Sequence, residues 1–191
     1  MSSRSKSRFQ GSLRLWAPWR LKYIVSARGS SFSGCLFCRT GKASDDARNL
    51  VILRGRLSFC ILNRYPYNNG HLMVAPYRHV GQLAFLTPAE WQEILDLTNE
   101  SMARLEKVMA PHGYNIGSNL GRTAGAGIPG HLHLHVVPRW TGDNNFMPVV
   151  AGTKVISQAL SSAYSLLRGA RETERTDAKK IRRRASDKKR A

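Results

Sequence analysis

Short apolar runs punctuated by turn residues fill the first half of the chain, and a helical period takes over in the middle. Asn49–Arg54, Ser58–Asn63 and Gly70–Pro76 are rich in Val, Ile, Leu or Phe and are bounded by Gly, Pro or Asn. Each predicts a strand. Arg54-Gly55-Arg56 predicts the turn between the first two, and Tyr65–Gly70 a longer loop before the third. Thr87 then stands as an N-cap, with Pro88 at the first helical position and Glu90 three residues after the cap. That is a capping box with an N-terminal proline. Trp91, Ile94, Leu95, Thr98, Met102, Leu105 and Val108 recur at helical spacing until Pro111-His112-Gly113 ends the helix. Tyr114–Ser118 and Leu132–Val137 predict two further strands on either side of the glycine-rich stretch Gly121–Gly130. Val155, Ile156, Leu160, Ala163, Tyr164 and Leu167 predict a last amphipathic helix over about residues 154–167. Asp45–Arg48 reads as a polar loop. Strands grouped around one long helix imply an α+β domain: a mainly antiparallel sheet of about five strands, packed with the long helix and a C-terminal one.

Length and charge refine this picture. The 191 residues and 42% hydrophobic content suit one globular domain, placed at residues 13–168. Residues 1–12 are read as a basic arm without structure, and residues 169–191 as a basic tail. The net charge of +18 lies mostly at the ends: residues 1–28 hold seven Lys or Arg and no acid, and residues 168–191 hold eleven basic and four acidic residues. Such ends either keep the protein solvated or attract nucleic acid non-specifically. No run approaches the roughly 18–20 apolar residues of a membrane span. Leu13–Val25 is broken by Arg14, Arg20 and Lys22, so neither a membrane segment nor a secretory signal is expected. Three cysteines without an export signal point to a reducing, cytoplasmic setting. Cys60, inside a strand-like run, is expected to be a small buried hydrophobe. Cys35 and Cys38 form a Cys-x-x-Cys pair, read as metal-binding or redox-active.

The chemistry concentrates at residues 131–135. His131, His133 and His135 alternate with Leu132 and Leu134. In a strand, residues two apart share a face, so the three imidazoles project together and the leucines enter the core. An unpaired polar face of that kind has no place in a core. It implies a metal site or a catalytic imidazole cluster. Glycines at 121, 125, 127 and 130 let backbone amides approach an anion just upstream. Phosphate-binding donors beside a nucleophile suit nucleotidyl transfer through a covalent phosphoramidate.

His131-Leu132-His133-Leu134-His135-Val136-Val137 matches the signature of the histidine triad (HIT) superfamily without a mismatch. Leu62–His79, Ala124–His131 and Pro138–Pro148 extend the likeness, so that residues from about 16 to 150 resemble the bacterial diadenosine tetraphosphate phosphorylase-like branch. The resemblance implies a HIT-like fold with His133 as nucleophile and His135 hydrogen-bonding the α-phosphate or the leaving group. It places Asn63 at the ribose hydroxyls, although Asn63 also reads as a turn residue ending a strand. It places Asn119 and the Gly125, Ala126 and Gly127 backbone at phosphate, and Trp140 at the far end of the nucleotide pocket. The implied activity is phosphorolysis of diadenosine tetraphosphate to ADP and ATP, with inorganic phosphate as acceptor. Hydrolysis of dinucleoside polyphosphates or adenosine phosphoramidates is the alternative. Several phosphorylases carry Gln at the third triad position, where this chain has His135, so the acceptor rests on the flanking segments. A third reading, from the basic ends, is a nucleic-acid-binding protein or a hydrolase of adenylated DNA ends.

A likeness to the galactose-1-phosphate uridylyltransferases implies a structural zinc on Cys35, Cys38, His79 and His131. The alternative is a reduced packing pair with His79 on the surface. No organic cofactor is expected, while a divalent cation can accompany the polyphosphate. Relatives are commonly homodimers, and the aromatic segment Trp16–Ile24 is a candidate for that interface.

Overall fold

The structure, a computed structural model, describes residues 34–143, 156 and 158–170. The basic arm, the Trp16–Ile24 segment, the end of the Pro138–Pro148 segment and the tail beyond residue 170 lie outside the described residues. The helices are α1 (Leu36–Lys42), α2 (Asp46–Asn49), α3 (Pro88–Met109) and α4 (160–170). The strands are β1 (Val51–Arg54), β2 (Ser58–Leu62), β3 (Leu72–Pro76), β4 (Gly113–Gly117) and β5 (Leu134–Arg139). They form one five-stranded sheet in the order β1-β2-β3-β5-β4, with every neighbouring pair antiparallel.

Period-two alternation divides the strand side chains between two faces. Cys60, Leu62, Leu72, Val74 and Val136 pack against Ile94, Leu97 and Leu105 of α3 and against Ala163 and Leu167 of α4. Burial of each such Leu or Ile contributes roughly 1.5–3 kcal/mol. Phe59, Ile61, Met73 and Ala75 point the other way and meet Phe37 of α1. Met73 stands opposite His135 in the β3–β5 ladder, so the imidazole side of β5 belongs to this second face. Cys60 is fully buried, as its strand context implies.

The long helix begins as expected. The Thr87 hydroxyl accepts from the Glu90 amide, and the Glu90 side chain returns to the Thr87 amide. Gly70, at φ +69°, brings the end of the β2–β3 loop onto this helix, where a Cβ would meet Leu105 at 2.7 Å. Among the described residues no helix is long and apolar enough to cross a membrane.

Two elements differ from expectation. Asp45–Arg48 is not a plain loop, because the Asp45 carboxylate accepts from the Arg48 amide at 3.0 Å and caps the short helix α2. The last helix starts at 160, since residues 156, 158 and 159 are not helical, and it continues to 170. Its C-terminal end is held by tertiary bonds that periodicity does not reveal. The buried Arg104 guanidinium donates to the Leu167 carbonyl at 2.9 Å, and Lys107 donates to that of Ala170 at 3.2 Å. Helix α1 was also unforeseen; only Phe37 and Thr40 are buried along it, too few to make a stripe.

Glu90 offers a test of this framework. Its carboxylate accepts from Arg78 at 2.7 and 2.9 Å and from the Thr87 amide at 2.8 Å. The Arg78 hydrogen bonds, aided by Thr87 and opposed by burial, bring its pKa from the ordinary 4.5 down to about 2. A carboxyl lowered in the fold stabilises fully above its unfolded pKa and loses that contribution as pH falls through the folded value. Glu90→Gln should therefore melt below the parent at pH 7. The gap should close between pH 4.5 and about 2. Melting curves followed by circular dichroism at stepped pH measure this, and a gap that stays constant down to pH 2 would contradict it.

Candidate active site

The three triad imidazoles sit where β5 begins. His131 and His133 lie in the extended lead-in and His135 in the strand itself, and all three are buried. Leu134 and Val136 turn to the helical face, as alternation predicts. Each ring is held by a different partner, and those partners set its protonation.

His133 has its Nδ1 at 2.8 Å from the His131 carbonyl. A carbonyl only accepts, so Nδ1 carries the proton and Nε2 keeps its lone pair. Burial pushes the pKa of His133 below the ordinary 6.5, which keeps the ring neutral at physiological pH. The carbonyl of His133 accepts from the Ser118 hydroxyl, which ties its backbone to the end of β4.

His135 meets a residue that the sequence did not single out. The fully buried His71 places Nε2 at 2.9 Å from His135 Nδ1. The Tyr67 amide donates to His71 Nδ1 at 3.0 Å, and Asn63 Nδ2 lies 3.3 Å from the same atom. In neutral rings the His71 proton is thus on Nε2 and points at His135. His135 accepts on Nδ1 and carries its own proton on Nε2 as a donor. The available signal for His71 was parity: it shares its face with Met73 and Ala75, but nothing local says which strand lies alongside. Asn63 Oδ1 also accepts from the Tyr65 amide at 2.9 Å, so this side chain closes the turn leaving β2.

His131 donates from Nε2 to the Pro76 carbonyl at 2.9 Å, which aims Nδ1 at Cys35, Cys38 and His79. Cys35 Sγ and His79 Nδ1 each lie 3.3 Å from it, Cys38 Sγ lies at 3.5 Å, and Cys38 Sγ is 3.3 Å from His79 Nδ1. The four donor atoms fall within 4.8 Å of one another. A tetrahedral zinc with bonds of about 2.0–2.3 Å has edges of roughly 3.3–3.8 Å, so these separations fit a coordination cage. Burial, followed by the neighbouring Cys35, raises the Cys38 thiol above its ordinary pKa. A divalent cation among the four donors reverses that preference.

The remaining expected site residues are spread around this centre. The Gly125 amide bonds the Arg122 carbonyl at 3.0 Å and the Ala126 amide bonds the Gly121 carbonyl at 3.2 Å, so these two groups close the loop on itself. Gly127 follows at the start of the return, where Ile128 packs beside the Phe37 and Met73 cluster. Asn119 is half-buried next to Ser118. Trp140 is not brought to the imidazoles; its Nε1 donates to the Met109 carbonyl at 3.2 Å, at the C-terminal end of α3. Phe37, unremarked in the sequence, lies with its ring centroid 4.7 Å from that of His133. The centre thus presents a neutral imidazole nitrogen with a lone pair beside an N–H donor, with ring centroids 4.9 Å apart. That pairing suits attack at phosphorus with stabilisation of an oxygen that gains charge.

Comparison with known proteins agrees. The HIT domain family model matches residues 45–142. An AP-4-A phosphorylase of Mycobacterium tuberculosis is 43% identical over 160 residues, covering 81% of this chain and 82% of that protein. A bis(5'-nucleosyl)-tetraphosphatase (asymmetrical) of Schizosaccharomyces pombe is 36% identical over 93 residues, covering 49% of this chain and 50% of that one. Among solved structures, a Zn-bound histidine triad family protein from Mycobacterium smegmatis superposes with a TM-score of 0.61 at 25% identity, covering 78% of this chain and 99% of the other. By sequence and by fold, the chain belongs to the HIT domain family.

Proposed function

We propose that this protein is a dinucleoside polyphosphate phosphorylase that cleaves diadenosine tetraphosphate with inorganic phosphate to ADP and ATP. The observation that carries the reading is the His133 Nδ1–H bond to the His131 carbonyl, which leaves Nε2 as a buried neutral nucleophile. His133 Nε2 attacks the α-phosphorus of one adenylate, and the P–O bond to the remaining polyphosphate breaks. ATP leaves and adenylate stays on His133. His135 Nε2–H hydrogen-bonds the α-phosphate or the departing oxygen, and His71 holds it in that tautomer. Phosphate then attacks the same phosphorus and releases ADP, so two displacements retain configuration. Asn63 at the ribose and Asn119 with the Gly127 amide at phosphate complete the reading, the Gly125 and Ala126 amides being already bonded to the Arg122 and Gly121 carbonyls; a divalent cation accompanies the polyphosphate. The M. tuberculosis relative, similar over four-fifths of both chains, favours phosphate over water as acceptor.

The polypeptide is read as a catalytic domain over 13–168 between two basic ends, which add non-specific attraction to polyanions such as nucleic acid. Three cysteines without disulfides suit the cytoplasm. Cys35, Cys38, His79 and His131 hold a structural zinc in this reading, which the Zn-bound neighbour supports. Its contribution is to cross-link α1 to the start of β5 and to orient His131. Homodimerisation is read through β4, one of the two outer strands of the sheet, whose Ile116 is exposed, as is Leu120 beyond its end.

Three outcomes follow. Wild-type protein with diadenosine tetraphosphate should form ADP and ATP only when phosphate is present, and His133→Ala should lose at least about 10,000-fold in kcat. AMP and ATP formed regardless of phosphate would assign water as the acceptor. Purified protein should carry one zinc per chain by elemental analysis. Cys38→Ser should lose it and melt roughly 5–10 °C lower, and a metal-free wild type of unchanged stability would overturn the zinc. Light scattering should give twice the mass of one chain for the wild type and a single chain mass for Ile116→Lys.

A further inference from the structure

We infer that Phe37 is a positioning residue for the nucleophile: carried between the two cysteines of the cage, its ring fixes the plane of the His133 imidazole. The inference rests on the reading of His133 as nucleophile. His135 meets the ring at 78° with centroids 4.9 Å apart, and among the described residues one hydrogen bond, from Nδ1 to the His131 carbonyl, holds it at one atom. It leaves the imidazole able to swing about that contact. The Nε2 lone pair lies in the ring plane, so the plane sets the line of attack on phosphorus. A contact on the ring face removes this freedom.

Phe37 supplies that contact. Its centroid lies 4.7 Å from that of His133 with the planes 33° apart, and 5.1 Å from that of His131 at 35°. The side chain is buried to 1% exposure. Its own position is over-determined, because α1 is held at both ends. At the start, Cys35 and Cys38 close on His131 and His79. At the end, Arg54 donates to the carbonyls of Gly41 at 3.0 Å and Ala43 at 2.6 Å, while pairing with Asp46 at 2.8 Å. Gly41 lets the helix sit close on the sheet, since a Cβ there would meet the Tyr77 ring at 2.9 Å. A seven-residue helix pinned in this way has one evident consequence at the site, which is to press one aromatic ring on the nucleophile. The cage and the chemistry thereby meet through a side chain as well as through the His131 backbone. Misplacing reacting atoms by about 1 Å can cost 100-fold.

The test compares zinc-loaded wild type with Phe37→Leu, Phe37→Met and Phe37→Tyr. Kinetics with diadenosine tetraphosphate and phosphate are read beside nitrogen-15 NMR of the imidazoles at pH 8. Phe37→Leu should lower kcat by about 10- to 100-fold, with KM within about twofold and zinc content unchanged. Its His133 should show a mixture of ring tautomers where the wild type shows Nδ1–H alone. Phe37→Tyr, which keeps the ring, should recover most of kcat and the single tautomer. Should Phe37→Leu fail to fold, Phe37→Met, flexible enough to fill the space, takes its place. Wild-type kcat and tautomer in the aliphatic variants would overturn the inference. So would a rise in KM alone, which makes Phe37 a wall of the binding site, or loss of zinc together with kcat, which makes it a brace of the cage. Wild type inert toward diadenosine tetraphosphate would instead sink the proposed substrate, and the tautomer measurement would still decide the role of Phe37.

Discussion

With Met73 opposite His135 and Leu72 opposite Val136, β5 lies on β3 in a register that sends His135 to the face away from α3 and α4. A slip of one residue would reverse the strand, driving His135 into the Leu105 and Leu167 core and Val136 onto the polar side. The same pairing brings His71, just before β3, within 2.9 Å of His135. It also brings the Pro76 carbonyl, at the far end of β3, within 2.9 Å of His131. One strand pair therefore supplies the partners of two of the three triad histidines. The hydrophobic effect locks the register, because Leu72, Val74, Leu134 and Val136 share the face that α3 and α4 cover.

His131 joins parts of the molecule that are far apart in sequence. Its Nδ1 faces the cage, its Nε2 donates to the Pro76 carbonyl, and its own carbonyl accepts from His133 Nδ1–H. None of these roles involves the substrate. They orient the residue two positions on, much as outer partners orient the ligands of a metal centre. The consequence is a division of labour within a motif of nearly identical residues. In the proposed function the first histidine holds, the second attacks and the third donates, and only the partner of each ring makes the difference.

The buried setting of the triad serves the same chemistry. An imidazole in water is half protonated near pH 6.5, and a protonated ring has no lone pair to offer. Removing His133 from solvent favours the neutral form. The cost of burying a polar ring is offset by a hydrogen bond to backbone, which leaves the Nε2 lone pair for the substrate of the proposed reaction.

Much of this was legible in the residues. Strict alternation of His and Leu placed three imidazoles on one face, and the capping box with its helical stripe placed α3, because both signals are local and follow from backbone geometry. The cysteine half of the cage was legible in its spacing, whereas His79 and His131 were legible as its partners only through resemblance, since they approach the cysteines through folding. Tertiary structure alone decided the rest. Helix α1 buries two side chains and has no stripe to announce it, yet Phe37 on it reaches His133. His71 reads as any residue at the start of a strand until β5 arrives beside it. The Gly125 and Ala126 amides, free in principle to meet an anion, are drawn into their own loop. Sequence thus determined which chemical groups are present and which face of a strand they share. Partnership, and with it the role of each histidine, waited on contacts between segments as many as 96 residues apart, which no local periodicity encodes.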